Sequence, residues 1–247
     1  MDDAVSGPVA DDARARFDDV LQSDAALAED FTTGGDALLV AFGGLAGAPM
    51  GLPPFEFRNL SESLSVMRLF VRDPAQAWYQ RGLEGLTDDV KSTADHLAER
   101  IDHAGAKRVV MVGNSMGGYA ALLFGALLDV DAVIAFAPQT FIGRWLRLRH
   151  RDGRWSRQVK RAQTAPRGRA RQRDLLPLLR GLAPARVAAQ IHYGCDEPLD
   201  GVHAERLASL SWCHVEGHPV GGHTLVRHLR DGGRLDPMLR AALGMTA

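Results

Sequence analysis

Apolar and polar positions along the chain follow two alternating rhythms. Ala37-Leu38-Leu39-Val40-Ala41-Phe42 is a short unbroken apolar run halted by Gly43-Gly44. Its length and its glycine stop predict a buried strand rather than a helix. Residues 66–71, 108–112, 132–137 (closed by Pro138), 187–193 and 212–215 read as further strands. Between them, helical spacing predicts helices over 86–104 (with Thr87 as N-cap and Gly105 as stop), 116–128, near 202–210 and over 224–229. Strands that alternate with helices and are apolar on both faces predict the α/β class. The expected architecture is a three-layer α/β/α sandwich around a mainly parallel sheet of about six to seven strands.

Two stretches depart from this rhythm. Residues 1–30 are acidic and alanine-rich, and read as a tail leading into an amphipathic helix over 11–27, with the α/β domain running from 31 to 247. Residues 141–182 separate two sheet strands as a short insertion after the strand ending at Pro138. Within 143–180 there are thirteen Lys or Arg and only two acids, Asp152 and Asp174. The insertion has two readings: a lid whose arginines bind an anionic group on a substrate, or a solvated basic helix pair packed on the acidic N-terminal region.

Composition narrows the partners. A chain of 247 residues with net charge -1 is no general polyanion binder, and aromatic residues are too sparse among its basic ones to favour nucleic acid. Cys195 and Cys213 have neither metal-site nor disulfide-scaffold spacing. The acidic N-terminus lacks a basic-then-apolar leader, and no apolar run approaches the roughly 18 residues of a membrane span. A cytoplasmic protein is therefore expected. No nucleotide P-loop, zinc H-E-x-x-H or dinucleotide glycine motif occurs, so neither cofactor nor metal is expected. The oligomeric state is not legible.

The chemistry concentrates at Gly113-Asn114-Ser115-Met116-Gly117-Gly118. A serine on a sharp strand-to-helix turn lifts its hydroxyl above the sheet edge, and flanking glycines let the backbones pass. The competing reading is a serine that merely caps the helix. A serine nucleophile needs a base, and the base needs an acid to fix its tautomer. Asp196, after the strand ending in Gly194-Cys195, is the preferred acid, with Asp200 as fallback. His223, behind Gly221-Gly222 and before a helix, is preferred over His218 as base. Oxyanion donors are sought in the backbone of Met116 and of Gly44, with Leu45 as the alternative to Gly44. Trp78, Tyr79, Gln139 and Trp145 are candidate substrate contacts, although an aromatic pair such as Trp78-Tyr79 more often anchors a core. His192 and His203 read as structural.

These elements together resemble the α/β-hydrolase superfamily. The resemblance rests on Phe42-Gly43-Gly44, the Gly-Asn-Ser-Met-Gly-Gly-Tyr elbow, Gly194-Cys195-Asp196 and Gly221-Gly222-His223, and spans roughly residues 35–245. It implies esterase-like acyl chemistry through an acyl-enzyme and leaves the substrate open. Phe42 stands where many members have histidine, and the front of the chain looks short for the full eight-stranded sheet. Three functions follow as expectations: a serine hydrolase of an ester or thioester with a small, anionic acyl substrate, an acyltransferase using the same triad, or a non-catalytic binding protein on this fold.

Overall fold

The computed structural model describes residues 17, 19–20, 23, 25–33, 35–45 and 57–245. Among these residues seven strands form one sheet: β1 (Leu27–Asp30), β2 (Ala37–Phe42), β3 (Met67–Val71), β4 (Arg108–Asn114), β5 (Ala132–Phe136), β6 (Ala188–Gly194) and β7 (Cys213–His218). Their order is β1-β3-β2-β4-β5-β6-β7. β1 runs antiparallel to β3, and every other pairing is parallel.

The apolar runs sort by parity onto two faces, as a two-residue side-chain period requires. Leu38, Val40 and Phe42 join Met111, Leu97, Tyr119 and Leu123 in one core layer. Leu39, Ala41, Val110, Val112 and Ile134 face the C-terminal helices through Leu225, Leu229, Leu235 and Leu239. This is the expected three-layer sandwich, with the elbow strand β4 at its centre.

The front of the chain corrects the sequence reading. Leu27–Asp30 is a sheet strand rather than the end of a tail or helix. Asp30 is buried and paired with Arg68 of β3, while Arg100 Nε donates to Glu29 Oε2 at 2.9 Å. The Phe17 ring meets Phe70 at a tilt, with centroids 5.9 Å apart. Most of the expected helix over 11–27 lies outside the described residues. Helix Val90–Ala104 is capped by Asp89, not Thr87, through a capping box with Ser92. Thr87 instead accepts Leu83 N–H at 2.7 Å.

The basic insertion is built of helices Arg144–Arg149, Ser156–Gln163 and Leu175–Leu182 with a short 3-10 turn, Ala170–Arg173. Ile142 N–H and Leu175 N–H tie its two ends together at Arg173 O and Thr140 O, and it packs on the sheet domain through Leu175 and Leu179 in the core and Tyr119 Oη, which donates to Gln172 O. Among the described residues no helix is long and apolar enough to cross a membrane.

Candidate active site

β4 ends in the turn that carries Ser115. The residue sits at φ 55, ψ -115, a strained conformation for a residue with a Cβ. Two glycines make the turn possible. A Cβ on Gly113 would lie 2.2 Å from Gly117 C, and one on Gly117 would lie 2.2 Å from Phe42 O. Ser115 N–H bonds Phe136 O at 2.8 Å, which locks the turn to β5.

The hydroxyl decides between nucleophile and cap. Ser115 makes no side-chain cap bond to helix Met116–Leu128. Its Oγ lies 2.9 Å from His223 Nε2. His223 Nδ1 lies 2.9 Å from Asp200 Oδ2 and 3.1 Å from Asp200 Oδ1. A proton on Nδ1 shared with the carboxylate leaves Nε2 free to accept from the serine, the arrangement a general base requires. Ser115 is only 3 % exposed, so the hydroxyl lies in a sheltered position.

The acid preferred from sequence is displaced. Asp196 is exposed, and its carboxylate accepts Gly222 N–H at 2.7 Å and Gly221 N–H at 3.3 Å. It therefore shapes the histidine loop. Asp200, the fallback, lies in the first turn of helix Pro198–Glu205, and that turn carries it inward to full burial. His218 is at the end of β7, away from Ser115 Oγ, with its Nε2 3.2 Å from His192 Nδ1.

Other sequence candidates also move. Trp78 and Tyr79 are fully buried, and both adopt left-handed backbone at φ 52 and 58. Both belong to the main hydrophobic core. Tyr79 Oη donates to Gly43 O at 2.9 Å, which braces the end of β2, and its ring meets Phe42 edge-on. Asp73 holds this turn by accepting Ala77 N–H at 2.6 Å and Tyr79 N–H at 2.8 Å. Burial raises the Asp73 carboxyl above the usual range in spite of these bonds. Gln139 is beside the nucleophile: its N–H reaches Ser115 O at 3.4 Å, and its buried Oε1 has no partner among the described residues. Gly44 and Leu45 are buried directly after β2, and Met116 opens the elbow helix.

The insertion reaches the site through residues that were not singled out from sequence. Arg154 Nη1 donates to Asp200 Oδ1 at 2.7 Å, and its Nε donates to Asp152 Oδ1 at 3.1 Å. Behind them His203 Nε2 meets Asp152 Oδ2 at 3.0 Å. The Trp155 ring lies 5.8 Å from the His223 ring. Burial pushes the Asp152 carboxyl up, but bonds from His203 and Arg154 and the arginine charge outweigh it, leaving it well below the carboxylate range. Burial lowers His203, so a neutral imidazole donates to that carboxylate. The one available signal was Asp152 itself, an acid embedded in a run of arginines.

On its outer side the insertion forms a groove of about 1180 Å³ whose lining includes Arg144, Trp145, Arg147, Arg151, Asp152 and Lys160. Trp145 is 84 % exposed there, not in the sheltered space at Ser115. The expected packing of the insertion on the acidic N-terminal stretch falls mostly outside the described residues.

A parallel sheet with a serine elbow after its central strand, flanked by helices on both faces, is the α/β-hydrolase fold. Solved structures agree. The capsule O-acetyltransferase of Neisseria meningitidis serogroup A is similar at TM-score 0.63 and 13% identity, over 84% of this chain and 88% of that one. MenH from S. aureus is similar at TM-score 0.56 and 15% identity, over 90% and 98% of the two chains. MGS-MChE2, an alpha/beta hydrolase from a lagoon-sediment metagenome of Mar Chica, Morocco, is similar at TM-score 0.57 and 17% identity, over 89% and 95%. No protein-family model matches the chain, and no curated protein matches it by sequence.

Proposed function

We propose that this protein is a serine hydrolase that cleaves an ester or thioester through an acyl-enzyme. Ser115 is the nucleophile, His223 the base, and Asp200, in place of Asp196, the acid. The observation that carries the reading is the unbroken chain from Ser115 Oγ to His223 at 2.9 Å and from His223 to Asp200 at 2.9 Å, on a strained elbow. His223 takes the serine proton as Oγ attacks the acyl carbon, then returns it to the leaving group. The developing oxyanion is met by Met116 N–H at the helix start and by a backbone N–H of the Gly44–Leu45 turn. Water then repeats the cycle on the acyl-enzyme. Gln139 Oε1 offers an acceptor to a substrate donor.

A fluorophosphonate probe tests the reading. It should label Ser115 in the folded protein and fail to label Ser115→Ala, which should also lose turnover of a short activated ester. Residual ester turnover above about a thousandth of the parent would assign the nucleophile elsewhere. An unlabelled Ser115 would favour a binding role on the same fold.

One observation favours a second reading, acyl transfer to an alcohol. The arginine-lined groove belongs to the same insertion that contacts Asp200, and it suits an anionic donor or carrier. The similar capsule O-acetyltransferase was also solved as an H228A mutant in complex with CoA. Incubation with an acyl-CoA and candidate saccharides should then give esterified product, with a KM that rises steeply with salt. Free acid alone and a flat salt response would leave hydrolysis.

A further inference from the structure

On the sheet edge, three side chains that the triad does not use converge. His192 of β6 pairs with Glu216 of β7, and Gly194 pairs with His218. Glu216 and His218 are two residues apart, so both project on one side of β7, beside the cross-strand neighbour His192. His192 Nδ1 and His218 Nε2 lie 3.2 Å apart, His192 Nδ1 and Glu216 Oε2 3.5 Å, and His218 Nε2 and Glu216 Oε1 3.7 Å. A tetrahedral zinc with bonds of about 2.0–2.1 Å spaces its ligand atoms about 3.3–3.4 Å apart. The two nitrogens stand close to that edge; Glu216 meets each ring with a different oxygen, and one ligand atom from each residue lies within 4.8 Å of the others, so a modest turn of the partly exposed carboxylate completes the triangle. Both imidazoles are buried and Glu216 is partly exposed.

We propose that His192, Glu216 and His218 form a binding site for a divalent transition metal of the zinc class, with a fourth position open to water. Nitrogen and carboxylate donors suit such an ion, whereas magnesium or calcium would call for oxygen ligands throughout. The site lies outside the serine chemistry. It clips together the ends of β6 and β7, from which the Asp196 turn and the His223 loop depart. Arg234 competes for it: Nη1 is 3.4 Å from His218 Nδ1, and Nη2 is 3.5 Å from Glu216 Oε1. Its side chain is 56 % exposed and free to turn away into solvent as the metal enters. No H-E-x-x-H spacing marks these residues, because the ligands meet across strands.

The test is titration of the metal-stripped full chain with Zn²⁺ in competition with a chromophoric chelator. One equivalent should bind with micromolar or tighter affinity, and Co²⁺ should give the visible bands of a four- or five-coordinate ion. Glu216→Gln, partly exposed and nearly isosteric, should weaken binding at least about ten-fold while leaving the metal-free Tm unchanged. Arg234→Gln should tighten it. His214→Ala, an exposed neighbour on the same strand, should leave it unchanged. Absence of stoichiometric binding, parental affinity in Glu216→Gln, or loss of binding in His214→Ala would each overturn the proposal.

Discussion

Replacing Arg154 by methionine isolates the joint between the insertion and the triad. The guanidinium sits between two carboxylates whose side chains are each 1 % exposed, with contacts of 2.7 Å to Asp200 and 3.1 Å to Asp152. With it, the trio carries one net negative charge. Without it, Asp152 keeps His203, the backbone N–H of residue 154 at 3.0 Å and the longer 3.8 Å contact to Arg147, while Asp200 keeps only the imidazole of His223 among these side chains. Leaving a buried charge unpaired costs about 3–5 kcal/mol. For a chain of this size that corresponds to a fall in Tm of about 6–20 °C. Asp152→Asn together with Arg154→Met returns the site to one carboxylate and one charge. The double variant should therefore lose less than the sum of the single variants, by about 1–3 kcal/mol. Urea unfolding of the two single variants, the double variant and the parent at neutral pH closes the cycle. An Arg154→Met variant within about 1 kcal/mol of the parent, or strict additivity, would refute the reasoning.

Four further outcomes are expected. Asp200→Asn should lower kcat by about 10⁴ through loss of the required tautomer, while Asp196→Asn, whose amide oxygen still accepts a loop N–H, should stay within about ten-fold of the parent in an ester assay. Gly117→Ala puts a Cβ 2.2 Å from Phe42 O and should cost about 3 kcal/mol or more in unfolding free energy. His203 is held below the ordinary imidazole value of 6.5 by burial, so its contribution to stability is full above that value and is lost as pH falls below it. Asp152 is lowered too and yields only far below this window, so His203→Gln should flatten the decline of the urea midpoint between about pH 7.5 and 5.5. A thiol reagent should modify exposed Cys195 quickly and Cys213 slowly, because burial pushes the latter thiol up to about 12.

The strands that carry the site were legible because each is an apolar run with a glycine or proline stop, and the elbow was legible because three small residues cluster where β4 meets its helix. β1 was not: Leu-Ala-Glu-Asp is four residues long and half acidic, and its burial depends on Arg68 and Arg100 arriving from distant positions. Asp196 was preferred over Asp200 because it lies nearer the strand end. The choice turned on one helical turn, which sequence spacing does not resolve before Pro198 is known to start a helix. Trp78 and Tyr79 follow the core-anchor reading of an aromatic pair: both adopt left-handed backbone and are fully buried. Arg154, Asp152 and Trp155 left little trace because their partners lie in other segments; only the rarity of acids in the insertion hinted at Asp152.

The arginine that bridges to Asp200 also limits how the molecule could breathe. A flap that swung away with residues 141–182 would strip that bridge, leave Asp200 without its counter-ion and part Asp152 from His203, an excursion whose cost makes it rare at equilibrium. The insertion thus behaves as masonry rather than as a door. Passage to Ser115 would then need a different opening, and Trp145, 84 % exposed on the outer groove, can vary without touching the Ser115–His223 contact.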